Sequence, residues 1–161
     1  MCDNDAFHDP DFMNQLKLLN EECSGKIPIT LYRSSFIKKC NAFSVIGQTK
    51  YGELRSGLFG GVSVFLNKKQ IIKINNELLN CSEEEWSIKT KNTAWDSQYQ
   101  RLFGRKFLVS KNSYEEHFGV TGANQVHKTS DTALEPTEYL KEKSSKIWSD
   151  LENIYDKKYF V

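Results

Sequence analysis

The chain has 161 residues, 39% apolar and 27% charged, with a formal net charge of +1. A chain of this size buries about 70% of its unfolded surface and needs no staples to hold a core, and aromatics at 12% argue against disorder. Its length fits a single domain over residues 1–161.

The charge is segregated along the chain. Residues 1–25 carry six acids against one base, and residues 26–81 carry nine bases against two acids. Such asymmetry speaks about partners rather than about fold. The four cysteines, Cys2, Cys23, Cys40 and Cys81, lie far apart without a CxxC pair and match no zinc spacing. Cys23 and Cys40 are expected as small core residues. No apolar leader follows Met1 and no apolar run is long enough to span a bilayer, so a cytoplasmic protein with reduced thiols is expected.

In chain order, residues 1–8 are expected to be frayed. Asp9 and Pro10 then open a helix over 10–23, with Phe12, Leu16, Leu19 and Cys23 on one face and Gly25 as its stop. Ile29 to Tyr32 reads as a short extended run, and Ser34 to Cys40 fits a helical turn as well as a strand. Residues 42–74 hold five of the nine glycines and the densest basic charge. Strands are predicted around 43–47, around 53–55 and over Val62–Leu66. Gln70 to Ile74 is predicted to return as the hairpin partner of the last, across a turn at Asn67-Lys68-Lys69.

Capping-box patterns follow at Ser82–Glu85, Thr93–Asp96 and Ser113–Glu116. Trp95, Tyr99, Leu102 and Phe103 share a helical face before Gly104, and Phe107 to Val109 reads as a strand. Residues 119–134 lack periodicity, and a loop this long is often functional. From Pro136 to about Lys158 the stripe Leu140, Ser144, Ile147, Leu151, Ile154 predicts a long helix.

The resulting expectation is an α+β fold. A central antiparallel sheet of about four to five strands carries the N-terminal helix and the long C-terminal helix, both packed on it. Its expected core is Phe12, Leu16, Leu19, Phe43, Val45, Val62, Val64, Leu102, Ile147 and Leu151.

The motifs exclude more than they assign. Gly57-Leu58-Phe59-Gly60-Gly61 lacks the Lys-Ser/Thr of a phosphate loop and runs into a strand, so it reads as turn geometry. His117 and His127 lie near Glu115 and Glu116, but adjacent helical residues diverge and do not make a metal site. Cys81 precedes a helix start that favours a thiolate, without a local base beside it. Lys38, Lys39, Lys50, Arg55, Lys68, Lys69 and Lys73, with Tyr51, Phe59 and Phe65, suggest a nucleic-acid platform on the strands, but no RNP signature is present.

The leading expectation is a non-enzymatic protein-binding or inhibitor protein, in concrete form a bacterial immunity protein that neutralises a cognate toxin domain. The partner-binding residues are Asp3, Asp5, Asp9 and Asp11, then Glu83, Glu84 and Glu85, then Asn124 and His127 in the long loop. No catalytic residue, metal ligand, cofactor or membrane partner is assigned. The alternatives are a nucleic-acid-binding module on the basic strands and an enzyme with a dispersed site that draws on Cys81, His117 and His127.

Overall fold

A computed structural model describes residues 6–58, 62–82, 84–85, 100–118 and 132–154. The fold is α+β, as expected, but its sheet is mixed rather than antiparallel. Four strands, β2 (Ile29–Thr30), β3 (Phe43–Gln48), β4 (Gly52–Gly57) and β5 (Lys106–Ser110), lie in the order β2-β5-β4-β3. β5 runs antiparallel to β4 and parallel to β2, with Ile29 opposite Leu108. A second, two-stranded antiparallel sheet joins β1 (Ala6–His8) to β6 (Glu115–His117). Residues 6–8 are therefore a paired strand, where the sequence suggested fraying. Phe7 opposite Glu116 fixes the register.

The helices whose bounds lie within the described residues are α1 (Phe12–Glu22), α2 (Ser35–Lys39), α3 (Lys68–Leu79) and α4 (Glu138–Ile154). Among the described residues no helix is long and apolar enough to cross a membrane. α1 forms where its apolar spacing places it. Asp9 Oδ1 accepts from the Asp11 amide at 2.8 Å, and this turn around Pro10 launches the helix. α1 lies on one face of the sheet, with Leu19 fully buried in a cluster with Ile29, Leu31 and Leu108. Burying one such leucine is worth about 1.5–3 kcal/mol. Gly52 sits directly beneath, where a Cβ would fall on the Val109 carbonyl oxygen and on the Leu19 side chain. At the far end of α1, Glu22 accepts from the Tyr51 amide at 3.2 Å and ties helix to sheet.

The opposite face of β5 carries Phe107 and Val109, which pack on Val64 with Phe43 and Leu66 at the margin. A strand buried on both faces has no reason to alternate, which is why Phe107-Leu108-Val109 is a continuous apolar run.

The predicted hairpin over 62–74 is not formed. Val62, Ser63 and Val64 are buried, and Phe65 pairs with the outer side of Ile29 through two backbone hydrogen bonds. The chain then enters α3 instead of returning as a strand. Asn67 and Gln70 make a reciprocal cap: the Gln70 amide donates to Asn67 Oδ1 at 3.0 Å, and the Asn67 amide donates to Gln70 Oε1 at 2.8 Å. Gln70 and Ile74 face inward at helical spacing, while Ile71 and Ile72 remain about half exposed.

α4 was expected on the central sheet, but its aromatic contacts run to the small one. Tyr139 stacks on Phe7 at 6.2 Å, and Trp148 tilts against Phe118 at 5.0 Å. Of the expected core, Leu19, Val62 and Val64 are buried. Phe12, Leu16, Phe43, Leu102 and Ile147 are partly buried, and the Leu151 side chain lies outside the described residues. Val45 is 48% exposed because it lies on the outermost strand. Neither expected core cysteine is buried: Cys23 is intermediate and Cys40 exposed.

Candidate functional site

The acids that the sequence singled out separate into internal and external groups. Asp9 is 6% exposed, and besides turning the chain it accepts from Thr137 Oγ1 at 2.5 Å. Its charge is used within the fold. Asp11 is exposed and accepts from Asn14 at 2.6 Å. Glu84 and Glu85 are exposed, and Glu85 completes the expected capping box with Ser82 through bonds of 2.9 and 3.1 Å. Asp3, Asp5, Glu83, Asn124 and His127 lie outside the described residues, as does the Phe59-Gly60-Gly61 end of the glycine cluster.

Two further carboxylates prove to be structural pivots. The expected capping box at Ser113–Glu116 is instead the approach to β6, and Glu115 is fully buried. It accepts from Ser63 Oγ, and its other oxygen lies 3.1 Å from His8 Nδ1. The imidazole stacks on Phe12 at 4.8 Å. The Glu115 carboxylate beside it raises the His8 pKa above its ordinary 6.5, against the burial that would lower it. Glu116, also buried, accepts from the Ala133 amide at 2.8 Å. Chemically, His8 and Glu115 form an oriented proton donor, but the serine beside them donates to the carboxylate rather than to the imidazole. A serine nucleophile needs the reverse order.

The buried cations are also engaged. Arg33 donates to the Ser110 carbonyl at 2.9 Å and pairs with Glu135 at 2.7 Å and Glu53 at 3.4 Å. Arg55 pairs with Glu53 at 2.6 Å and lies 4.0 Å above the Phe43 ring. Burial lowers the Arg55 pKa, and the two guanidiniums together outweigh desolvation to hold Glu53 below the usual carboxylate range. Among the described residues, no three His, Cys, Asp or Glu side chains gather into a group that could hold a metal.

Two features do face outward. The first is the outer edge of the sheet. β3 is the last strand, and within it Ser44, Val45 and Ile46 are all exposed, the two apolar ones at 48% and 47%. A register shift between Val45 and Gly47 marks a bulge. The exposed Lys38 and Lys39 precede the strand and the exposed Lys50 follows it.

The second is a cavity of about 560 Å³ between α1 and the start of α3. Met13, Leu16, Lys17 and Asn20 present one face of α1 to it, and Ile27, Ile29 and Phe65 form its back wall. Its rim is held by the Asn67 side chain, which donates to the Gly25 carbonyl. Gly25 has φ +64°, and a Cβ there would fall on that amide. Sequence reasoning missed this site because it placed Gln70 on a strand. The signal was present in the Asn67–Gln70 spacing, which is that of a helix cap.

Comparison with known protein families, with curated proteins and with solved structures finds no match. The functional reading rests on this chain's own geometry.

Proposed function

We propose that the chain is a non-enzymatic binding protein whose target is another protein, with the contact centred on β3. The observation that carries this reading is the adjacent exposed pair Val45 and Ile46 on the outermost strand. Exposed apolar edges invite strand addition, and soluble proteins normally blunt them. The bulge confines new pairing to the Phe43–Val45 side. Lys38, Lys39 and Lys50 around the edge select an extended partner segment that is apolar and acidic. The internal engagement of His8, Glu115, Arg33 and Arg55 also supports binding over catalysis.

The concrete form we propose is an inhibitor, such as a bacterial immunity protein that neutralises a toxin domain. It is supported by the segregated charge, −5 over residues 1–25 and +7 over residues 26–81, which would steer a fast encounter. The exposed acids Asp11, Glu84 and Glu85 form the second candidate contact. The nucleic-acid reading loses support, since Arg55 is buried on Phe43 and Lys68, Lys69 and Lys73 belong to α3 rather than to a strand.

The test is affinity capture from the native cytosol with three baits: the wild type, the Val45→Lys/Ile46→Lys variant, and the Asp11→Lys/Glu84→Lys/Glu85→Lys variant. A stoichiometric protein held by the wild type and lost from the β3 variant is the expected result. Retention by the β3 variant with loss from the acidic variant overturns the edge-strand assignment. The absence of any partner that distinguishes the baits overturns protein binding itself.

A further inference from the structure

The open edge of β3 has a hydrogen-bond register of its own. Phe43 stands opposite Gly57, and Val45 opposite Arg55. The Leu58 amide donates to the Ala42 carbonyl at 2.8 Å, and the Gly57 amide donates to the Arg105 carbonyl at 2.9 Å. In an antiparallel ladder, bonds at those places make Phe43 with Gly57, and Val45 with Arg55, the pairs that exchange none. Gly57 and Arg55 therefore turn their backbone groups toward β5, and Phe43 and Val45 turn theirs away from the sheet. Among the described residues β3 ends the sheet, so two amides and two carbonyls line its edge. The bulge between Val45 and Gly47 closes the run there.

The side chains around this edge decide what fits it. Phe43 packs at the margin of the cluster of Val64, Phe107 and Val109, and Val45 shares its face of the sheet. Arg55 lies on that face too, 4.0 Å above the Phe43 ring, but its guanidinium is held by Glu53. Ser44 belongs to the other face and is exposed. The charge left at the edge is that of Lys38, Lys39 and Lys50, and residues 38–50 hold no acid. A second copy of β3 is a poor occupant. Antiparallel self-pairing through Phe43 and Val45 sets Lys38 and Lys39 of one copy toward Lys50 of the other. We infer that the edge takes an extended, antiparallel segment of another protein with the pattern acid, apolar, polar, apolar, acid. Its two apolar residues pair with Phe43 and Val45 through four backbone hydrogen bonds, and its acids meet the lysines at either end. The segment so defined is a finer description of the partner proposed for β3 and stands on that proposal.

The experiment is an NMR titration of the full chain with three capped peptides, read by amide shifts and hydrogen exchange. The first is Glu-Glu-Val-Thr-Val-Glu-Glu. The second has lysine for every glutamate, and the third is the first with both valine nitrogens methylated. The acidic peptide is expected to shift the Phe43 and Val45 amides saturably. Their exchange should slow about tenfold once the peptide reaches about ten times its Kd, while that of Ser44, already bonded to β4, stays unchanged. The lysine peptide is expected to bind at least about tenfold more weakly at low salt, with the gap narrowing as salt is added. Methylation removes both donors without altering a side chain, and is expected to abolish the slowing. Strand addition is overturned if the two amides exchange as before, or if either control peptide binds as well as the acidic one. It is equally overturned if those amides are protected without peptide in a concentration-dependent way, which makes a second copy the occupant. Any of these results leaves β3 able to hold a protein through its side chains, and capture with the Val45→Lys/Ile46→Lys bait decides that separately.

Discussion

Glu115 and Gln70 are both almost wholly buried, at 0% and 5% exposure, yet the chain treats them differently. Around Glu115 three separate segments converge: Ser63 from the turn before α3, His8 from β1 and the carboxylate itself from β6. Around Gln70 the carbonyl end of the amide accepts from the Asn67 amide, and the nitrogen is buried without a partner. The difference follows from charge. An isolated buried carboxylate is too costly to tolerate, so the fold must supply its partners before anything else can bind. A neutral amide can be left half satisfied at modest cost.

The largest test of this contrast is Glu115→Ala. It should destabilise the protein by about 3–5 kcal/mol, because His8 and Ser63 lose the group that joins them and a buried site is left unfilled. Urea denaturation checks it, and a loss below about 1 kcal/mol would show that the junction is not a pivot. On the cavity side the expected effect is smaller. Asn67→Ala removes the α3 cap and the tie to the Gly25 carbonyl, and should cost about 1–2 kcal/mol by the same measurement. If the two losses proved equal, the distinction between the charged junction and the neutral cap would collapse.

Much of the fold was legible where one face of an element meets the core and the other meets water. α1 could be read because Phe12, Leu16, Leu19 and Cys23 all pack toward the cluster around Leu31. β5 could be read from Phe107-Leu108-Val109. α3 could not, because its inward face begins with a polar residue, Gln70, while Ile71 and Ile72 remain about half exposed, so its buried positions are not marked by apolar residues alone. The parallel β2–β5 pair was equally hidden. It spans two residues on one side, and nothing local in Ile29-Thr30 specifies a partner almost eighty residues away. The candidate sites suffered most. Asp9, Glu115 and Glu116 look like surface acids in the sequence, and only the folded neighbours Thr137, Ser63 and Ala133 show them to be internal.

The smallest expected effect concerns the proton on His8. Its folded-state pKa is raised above 6.5 by the neighbouring Glu115 carboxylate, so the folded state holds this proton more tightly than the unfolded chain does. Its contribution to stability is therefore complete below pH 6.5 and is lost as pH rises through the folded-state value. The other resolved shifts belong elsewhere on the scale: Tyr114 is pushed above 10.0 by burial and by Asp11 and Asp9, and Glu53 is held below 4.5. A decline in denaturation midpoint from mildly acidic to mildly alkaline pH should thus be attributable to His8 and should flatten in His8→Gln. Direct titration of the His8 ring protons by NMR gives the same quantity without unfolding. A ring that titrates at or below its free value would mean that Glu115 does not hold the imidazolium. The junction would then be held by Ser63 and packing alone, and the contrast with Gln70 would narrow to a single hydrogen bond on each side.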